Sequence, residues 1–448
     1  MYIANVEIDE TAPVSLDDAA KVAAAVRAGI SYDPVHNLSG IVGQEEMIEF
    51  LTIGVLTGNH IMLEGNPGLA KTEACKALAR GLTLQFNRVQ FVPDMMPSDL
   101  MGSFRLEVEE GRTVQRWVDG PIFCNLLLAD EINRASSKVQ AGLLESMAER
   151  QVSVVGRGTR ILRTKEETDA LCALAKDKKP VFGQLIDPAD CSLLTFSVMA
   201  TMNPIEMEGT YPPGEAQLDR FLAKVIVPYP NLDELETLQT HQTSSRGVPP
   251  FDPKAAVFLT RLREILTSGK TAEMSGGTLR ARQAFVMRDP VIARQIRWLT
   301  WFSHARPLGG GADDGGGWTS DSGDAAASAQ AKAARQVLKQ WARGDEPEKR
   351  AFAASMIEAL AGDAYPGVIS GSSPRGMARL TEAVLTRSLL HGRVQAGQIC
   401  PIMSDLEKVA RPILRHRIRL SSAATAANRS SDEAVEALLT ALNASSNP

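Results

Sequence analysis

The loop Gly65-Asn66-Pro67-Gly68-Leu69-Ala70-Lys71-Thr72 joins a short apolar run, His60 to Leu63, to a helix-forming stretch, Lys71 to Leu82. A glycine-rich turn that opens a helix aims several backbone N–H groups and the positive end of the helix dipole at one point, which suits a chain of phosphates. In such a loop Lys71 reaches the β- and γ-phosphates of a nucleotide and the Thr72 hydroxyl binds magnesium. The strict pattern G-x-x-x-x-G-K-[ST] has glycine where this chain has Ala70, so on this loop alone an ordinary glycine-rich turn remains the alternative.

A second element carries acids. Leu126-Leu127-Leu128-Ala129-Asp130-Glu131 is an apolar strand that delivers two carboxylates side by side. In a nucleotide site Asp130 holds magnesium through its water shell, and Glu131 orients and polarises the attacking water. A solvated Asp-Glu pair at a strand end is common in isolation. Its place on a strand that follows the phosphate-type loop argues against that reading.

Three further residues are candidates, and the first two have two readings each. Asn203 could place its amide between Glu131 and the γ-phosphate, or could simply end a strand as an Asn-Pro turn. Arg220 could supply positive charge to a phosphate in a neighbouring subunit, or could be a surface charge. Arg375 stands at a helix N-terminus, where a cation opposes the dipole, so an anionic partner would explain it.

These residues need elements to hold them. His60–Leu63, Asn125–Ala129 and Leu193–Thr201 read as buried parallel strands, and polar residues cluster just beyond their ends. Strands alternating with helices imply an α/β sheet with its site at the carboxyl edge. Ser103–Val118 alternates apolar and polar residues around Glu-Glu-Gly-Arg, the pattern of a hairpin. Beyond about residue 230 helices dominate, for example 252–266 and 374–390; the latter has Ser373 as N-cap, Pro374 at its first position and Gly392 past its end. Residues 161–192 look inserted and contain a helix opened by a capping-box spacing at 164–167. Residues 307–325, rich in Gly, Ser and Asp, read as a linker leading to Ala-rich helices at 325–341 and 347–360.

Composition sets the bounds. The chain has 448 residues, 44% hydrophobic and 23% charged, which excludes both a single small module and general disorder. Its net charge of −5 disfavours a chain that coats nucleic acid. The basic stretch 411–419 lacks the interleaved aromatics of a nucleic-acid platform and reads as a lid helix with a solvated or subunit-facing basic side. Five scattered cysteines with no C-x-x-C pair fit a reducing cytoplasm. No uninterrupted apolar run is long enough to span a bilayer, so membrane insertion is not expected.

The sequence resembles the MoxR family of AAA+ ATPases. The resemblance rests on Ile41-Val42-Gly43-Gln44, the Gly65–Thr72 loop, Phe91-Val92-Pro93-Asp94 with Pro97-Ser98-Asp99, and Asp130-Glu131-Ile132-Asn133-Arg134-Ala135. It continues through Ala200 to Glu206, Glu208 to Pro212, Glu215 to Phe221, Ser373-Pro374-Arg375 and Leu414 to Ile418. It implies ATP and Mg2+ as ligands, with Asn203 as sensor 1, Arg220 as a finger acting in trans, Arg375 as sensor 2, and Val42 and Gly43 near the adenine. It also implies a homo-oligomeric ring, usually a hexamer, a protein client remodelled at the cost of ATP, and often a partner with a von Willebrand factor A domain. The Ser103–Val118 hairpin resembles the helix-2 insert that faces clients.

The organisation expected is an N-terminal arm (1–40), an α/β AAA+ P-loop domain (41–230) with the hairpin 103–118 and the insertion 161–192, a smaller all-α lid (231–425) interrupted at 307–360, and a tail (426–448). Two rivals remain: an AAA+ motor on nucleic acid, which a strong salt slope of stimulated hydrolysis would support, and a nucleotide-gated scaffold with little hydrolysis.

Overall fold

Leu126, Leu127 and Leu128 are fully enclosed, and burying each apolar side chain of this size contributes roughly 1.5–3 kcal/mol. They lie on the strand second from one edge of a five-stranded parallel sheet in the computed structural model. The structure describes residues 30, 40–81, 85–109, 112–149, 151–154, 158–161, 196–203, 211, 213–243, 287–304, 325–361, 368–395 and 398–446. The inserted helix expected within 161–192, the helix at 252–266 and the linker at 307–324 lie outside the described residues.

The sheet comprises β1 (Ile61–Glu64), β2 (Phe86–Gln90), β5 (Leu126–Asp130), β8 (Ser197–Met202) and β9 (Ala223–Ile226), in the order β2-β5-β8-β1-β9. Helices α1 (Glu45–Thr57), α2 (Lys71–Gly81) and α4 (Ser137–Glu149) complete the layers. Between β2 and β5 the short α3 (Pro97–Met101) leads into the hairpin of β3 (Gly102–Glu109) and β4 (Arg112–Asp119), where Phe104 stacks edge-on against Trp117 at 5.1 Å. A smaller hairpin, β6 (Gln151–Val154) with β7 (Gly158–Ile161), follows α4. Beyond β8 come the single-turn α5 (Glu215–Leu218) and, after β9, α6 (Leu232–Thr243).

The chain divides into two compact units. The first takes residues 1–286 together with 389–399; the second takes 287–388 and 400–448. The division therefore falls later than the boundary expected near Pro230, and a short segment carrying the hairpin β11 (Val394–Gln395) and β12 (Gln398–Ile399) belongs to the first unit. There His391 Nε2 pairs with Glu49 Oε1 at 2.7 Å.

The second unit is helical: α7 (Pro290–Phe302), α8 (Ala325–Ala342), α9 (Pro347–Ala361), α10 (Pro374–Leu390, as the sequence predicts), α11 (Met403–Leu414), α12 (Ser422–Ala426) and α13 (Ser431–Ser446), with the short strands β10 (Val368–Ser370) and β13 (Arg419–Leu420) paired antiparallel. Trp298, Phe302, Trp341 and Phe352 form an aromatic cluster with centroids 4.9 to 6.3 Å apart, the spacing at which rings attract one another. Two of these rings come from α8 and α9. The segment expected to interrupt this unit thus supplies part of its core. Helix α13, within the segment expected as a tail, packs Val435, Leu438 and Leu442 inward and lies against α9. It also meets the basic stretch: Arg415 pairs with Asp432 at 2.9 Å and Arg411 pairs with Glu436. Those cations face the acids of α13 within the same unit.

Candidate functional site

Register places the chemistry. Gln90 of β2 lies opposite Asp130 of β5, Ala129 opposite Ala200 of β8, and Glu64 of β1 opposite Met202. The carboxyl ends of four parallel strands therefore finish level, and the residues beyond them surround a cleft of about 390 Å³. Its walls are Pro67 through Glu73, Arg88, Gln90, Asp130, Glu131, Thr201 and Asn203.

The Gly65–Thr72 loop forms one wall. Gly68 has φ +84°, and a Cβ built there meets nothing within 4 Å, so backbone conformation rather than crowding calls for glycine and leaves room for a ligand. Ala70 has φ +57°, a left-handed conformation that costs an L-residue roughly 1–2 kcal/mol. The departure from the strict loop pattern is therefore a strained position whose backbone does what glycine does elsewhere. Ala70 O then accepts the first helical bond, from Ala74 N at 2.9 Å. Lys71 Nζ folds back and donates to Gly65 O. Burial pushes the Lys71 ammonium below its ordinary range, while Asp130, Glu131 and Glu64 pull it the other way.

The carboxylates are tightly held. Asp130 Oδ2 accepts from Arg88 Nε at 3.0 Å and Nη2 at 2.7 Å, and Asp130 Oδ1 accepts from Thr201 Oγ1 at 2.5 Å. Glu131 Oε2 accepts from Gln90 Nε2 at 2.8 Å and pairs with Arg134 Nε at 3.0 Å. Its backbone has φ +57°, with its N–H donated to Thr201 Oγ1 at 2.9 Å.

The structure brings Pro67 to Thr72, Asp130, Glu131 and Asn203 into one cleft; Asn66, exposed on the same loop, does not line it. Val42 is buried and Gly43, at φ +65°, has Glu234 of α6 so near that a Cβ would lie 2.7 Å from its Oε1; neither lines the cleft. Arg220 sits half-buried in the turn after α5 and does not line the cleft either. Arg375 is an exposed residue in the first turn of α10, in the second unit.

Four cleft residues escaped the sequence reading, and one of them, Glu73, lies in the first turn of α2. Arg88 and Gln90 lie on β2, a strand whose Phe-Asn-Arg-Val-Gln sequence has neither an apolar run nor a two-residue alternation, so no local pattern marked it. Thr201 sat inside an apolar run and looked like strand filler.

A parallel sheet with a phosphate-type loop and paired acids at its carboxyl edge defines the class, and comparison with known proteins narrows it. The model of the "ATPase family associated with various cellular activities (AAA)" matches residues 60–166 and 188–223. The chain is 36% identical over 294 residues to YeaC of Bacillus subtilis, an uncharacterized protein, which spans 59% of this chain and 81% of that one. It is 42% identical over 230 residues to Chaperone MoxR1 of Mycobacterium tuberculosis, 50% of this chain and only about half, 51%, of that protein's length. The crystal structure of a candidate ATPase from Cytophaga hutchinsonii superimposes with a TM-score of 0.60 at 26% identity, covering 95% and 94% of the two chains. The chain belongs to the MoxR family of AAA+ ATPases.

Proposed function

We infer that this chain hydrolyses ATP, with Mg2+, and spends the energy on remodelling a protein client from within a homo-oligomeric ring. The observation that carries the reading is the convergence of Lys71, Thr72, Asp130, Glu131 and Asn203 on one cleft at the sheet's carboxyl edge. Lys71, with Gly68 to Ala70, holds the phosphates; a phosphate chain supplies the counter-charge that burial withholds from its ammonium. Val42 and Gly43 bracket the base. Glu131 orients and polarises the attacking water, and Asn203 fixes that water against the γ-phosphate.

The donor set suits magnesium. Thr72 and Asp130 line the same cleft, and Asp130 Oδ2 already attracts a cation, the Arg88 guanidinium. Among the described residues no group of three or more His, Cys, Asp or Glu could hold a metal unaided. Magnesium is commonly held by one or two protein oxygens together with substrate phosphates and water, and when bound it neutralises charge on those phosphates.

Arg220 lies away from its own cleft, as a group serving a neighbour's site must, which supports a ring, by family resemblance a hexamer; Arg375 acts as the second sensor within its own subunit. Client engagement is supported by the likeness to Chaperone MoxR1 of Mycobacterium tuberculosis and by Phe104, Leu106 and Val108, which stay exposed on the hairpin. A partner bearing a von Willebrand factor A domain fits the same reading. The ion-paired basic stretch in the second unit leaves the nucleic-acid motor without its best surface. Among the described residues no helix is long and apolar enough to cross a membrane. Buried Cys75 and Cys124, whose thiols burial pushes up to about 12, suit a reducing cytoplasm.

A phosphate-release assay tests the core of this. Glu131→Gln should lower steady-state hydrolysis by about 100-fold or more while nucleotide still binds, and an unchanged rate would remove Glu131 from its role. Mixing Arg220→Ala with Glu131→Gln subunits should recover activity that neither has alone; no recovery would count against a shared site.

A further inference from the structure

We propose that Thr201 is the positioning residue of the cleft, a single hydroxyl that sets the direction of both acidic side chains. The proposal deepens the ATPase reading and rests on it. Thr201 is buried at 1% exposure near the end of β8. Its Oγ1–H donates to Asp130 Oδ1 at 2.5 Å, and the same oxygen accepts the Glu131 N–H at 2.9 Å. One donor and one acceptor function are thus spent on two consecutive residues that have different tasks.

The consequences differ for the two acids. With Oδ1 committed to Thr201, Asp130 can turn only Oδ2 outward, and that is the oxygen now paired with the Arg88 guanidinium. The face open to a cation is therefore chosen by the threonine. At Glu131 the bond acts on the backbone: φ +57° is a conformation that a glutamate rarely adopts, and it decides where the carboxylate leaves the strand end. The Thr201 oxygen is the acceptor that fixes that peptide. Strand alternation puts residues 201 and 203 on one face, and both line the cleft, so β8 carries Asn203 and the hydroxyl that aligns the carboxylates together.

The test compares Thr201→Val, which keeps the branched shape without the hydroxyl, with Thr201→Ser, which keeps the hydroxyl. Both are measured in the full chain for kcat and KM, for the Mg2+ concentration at half-maximal rate, and for affinity towards a fluorescent ATP analogue. Thr201→Val is expected to lower kcat by about 10- to 100-fold, the size of losing a hydrogen bond to a charged group, with KM and analogue affinity within about threefold of wild type. The Mg2+ requirement should rise severalfold, and Thr201→Ser should stay within about threefold of wild type throughout.

A Thr201→Val kcat within twofold of wild type overturns the proposal, as does an equal loss in Val and Ser variants, which would mark packing alone. If Thr201→Val and Thr201→Ala both fail to fold while Thr201→Ser folds, the hydroxyl serves stability and the positioning role is likewise overturned. A wild type that binds but never hydrolyses ATP would instead sink the ATPase reading itself, a distinguishable result.

Discussion

Two aspartates in this molecule keep the same company and live in different worlds. In the first unit Asp130 is bound by an arginine, Arg88, and a hydroxyl, Thr201; in the second Asp405 is bound by Arg387 at 2.5 Å and by Ser388 Oγ at 2.6 Å. The Asp405 pair is sealed, with side chains 0% and 8% exposed. The Asp130 pair is open, 12% for the acid and 46% for the arginine. A sealed pair has nothing to exchange with, so its role is to tie α10 to the start of α11, where Asp405 also accepts from Ile402 N at 3.1 Å. An open pair can trade its arginine for another cation. Exposure of the arginine, rather than the identity of the trio, separates scaffold from site.

The largest effect that would break this contrast lies in the sealed pair. Asp405→Ala strands a buried guanidinium, and breaking such a pair by removing one partner costs about 3–5 kcal/mol. The tryptophans Trp298 and Trp341 sit in the same unit and give the readout: the urea midpoint followed by their fluorescence should fall sharply. A loss under about 1 kcal/mol would mean that Asp405 is no more structural than Asp130.

Arg88→Ala is the matching change in the open pair. Because that arginine is nearly half exposed, its removal should cost about 1 kcal/mol or less. The gain should appear elsewhere, as binding of Mn2+ to the nucleotide-free protein about two- to fivefold tighter, followed by the loss of the free-ion resonance signal. Weaker metal binding in this variant would show that Arg88 supports the cation site instead of holding it.

The same contrast explains what could be read from the residues alone. Strands β1, β5 and β8 are enclosed on both faces, so their sequences are mainly apolar and their existence was legible. β2 and β9 are the two edges of the sheet, and β2 mixes Arg88 and Gln90 with Val89, so neither announced itself. With β2 went the partners of Asp130 and Glu131, which depend on register across strands and not on spacing along the chain. Lys71, Thr72, Asp130 and Glu131 could be found because their local motifs are contiguous. The role of α8 and α9 in the second core was hidden for a different reason: an Ala-rich helix reveals that it has an apolar side, never what will cover it. The return of 389–399 to the first unit is purely tertiary and left no mark on composition.

The smallest effect concerns the loop itself. Ala70 sits at φ +57°, where glycine is free of strain, so Ala70→Gly should recover roughly 1 kcal/mol or slightly more in the folded state. Glycine also gives the unfolded chain more freedom, which takes back about 0.4–1 kcal/mol. The two nearly cancel, and the melting transition should move by no more than a degree or two. The informative readout is then nucleotide affinity. If the left-handed alanine is held only by the fold, glycine should leave affinity for an ATP analogue unchanged within about twofold. If the alanine pre-shapes the loop for phosphate, glycine should bind more weakly, because the ligand must now pay to order a freer backbone. A clear loss of affinity with no change in melting would place the departure from the usual loop pattern among the features that act on the ligand, beside Thr201 and apart from the sealed scaffold of Asp405.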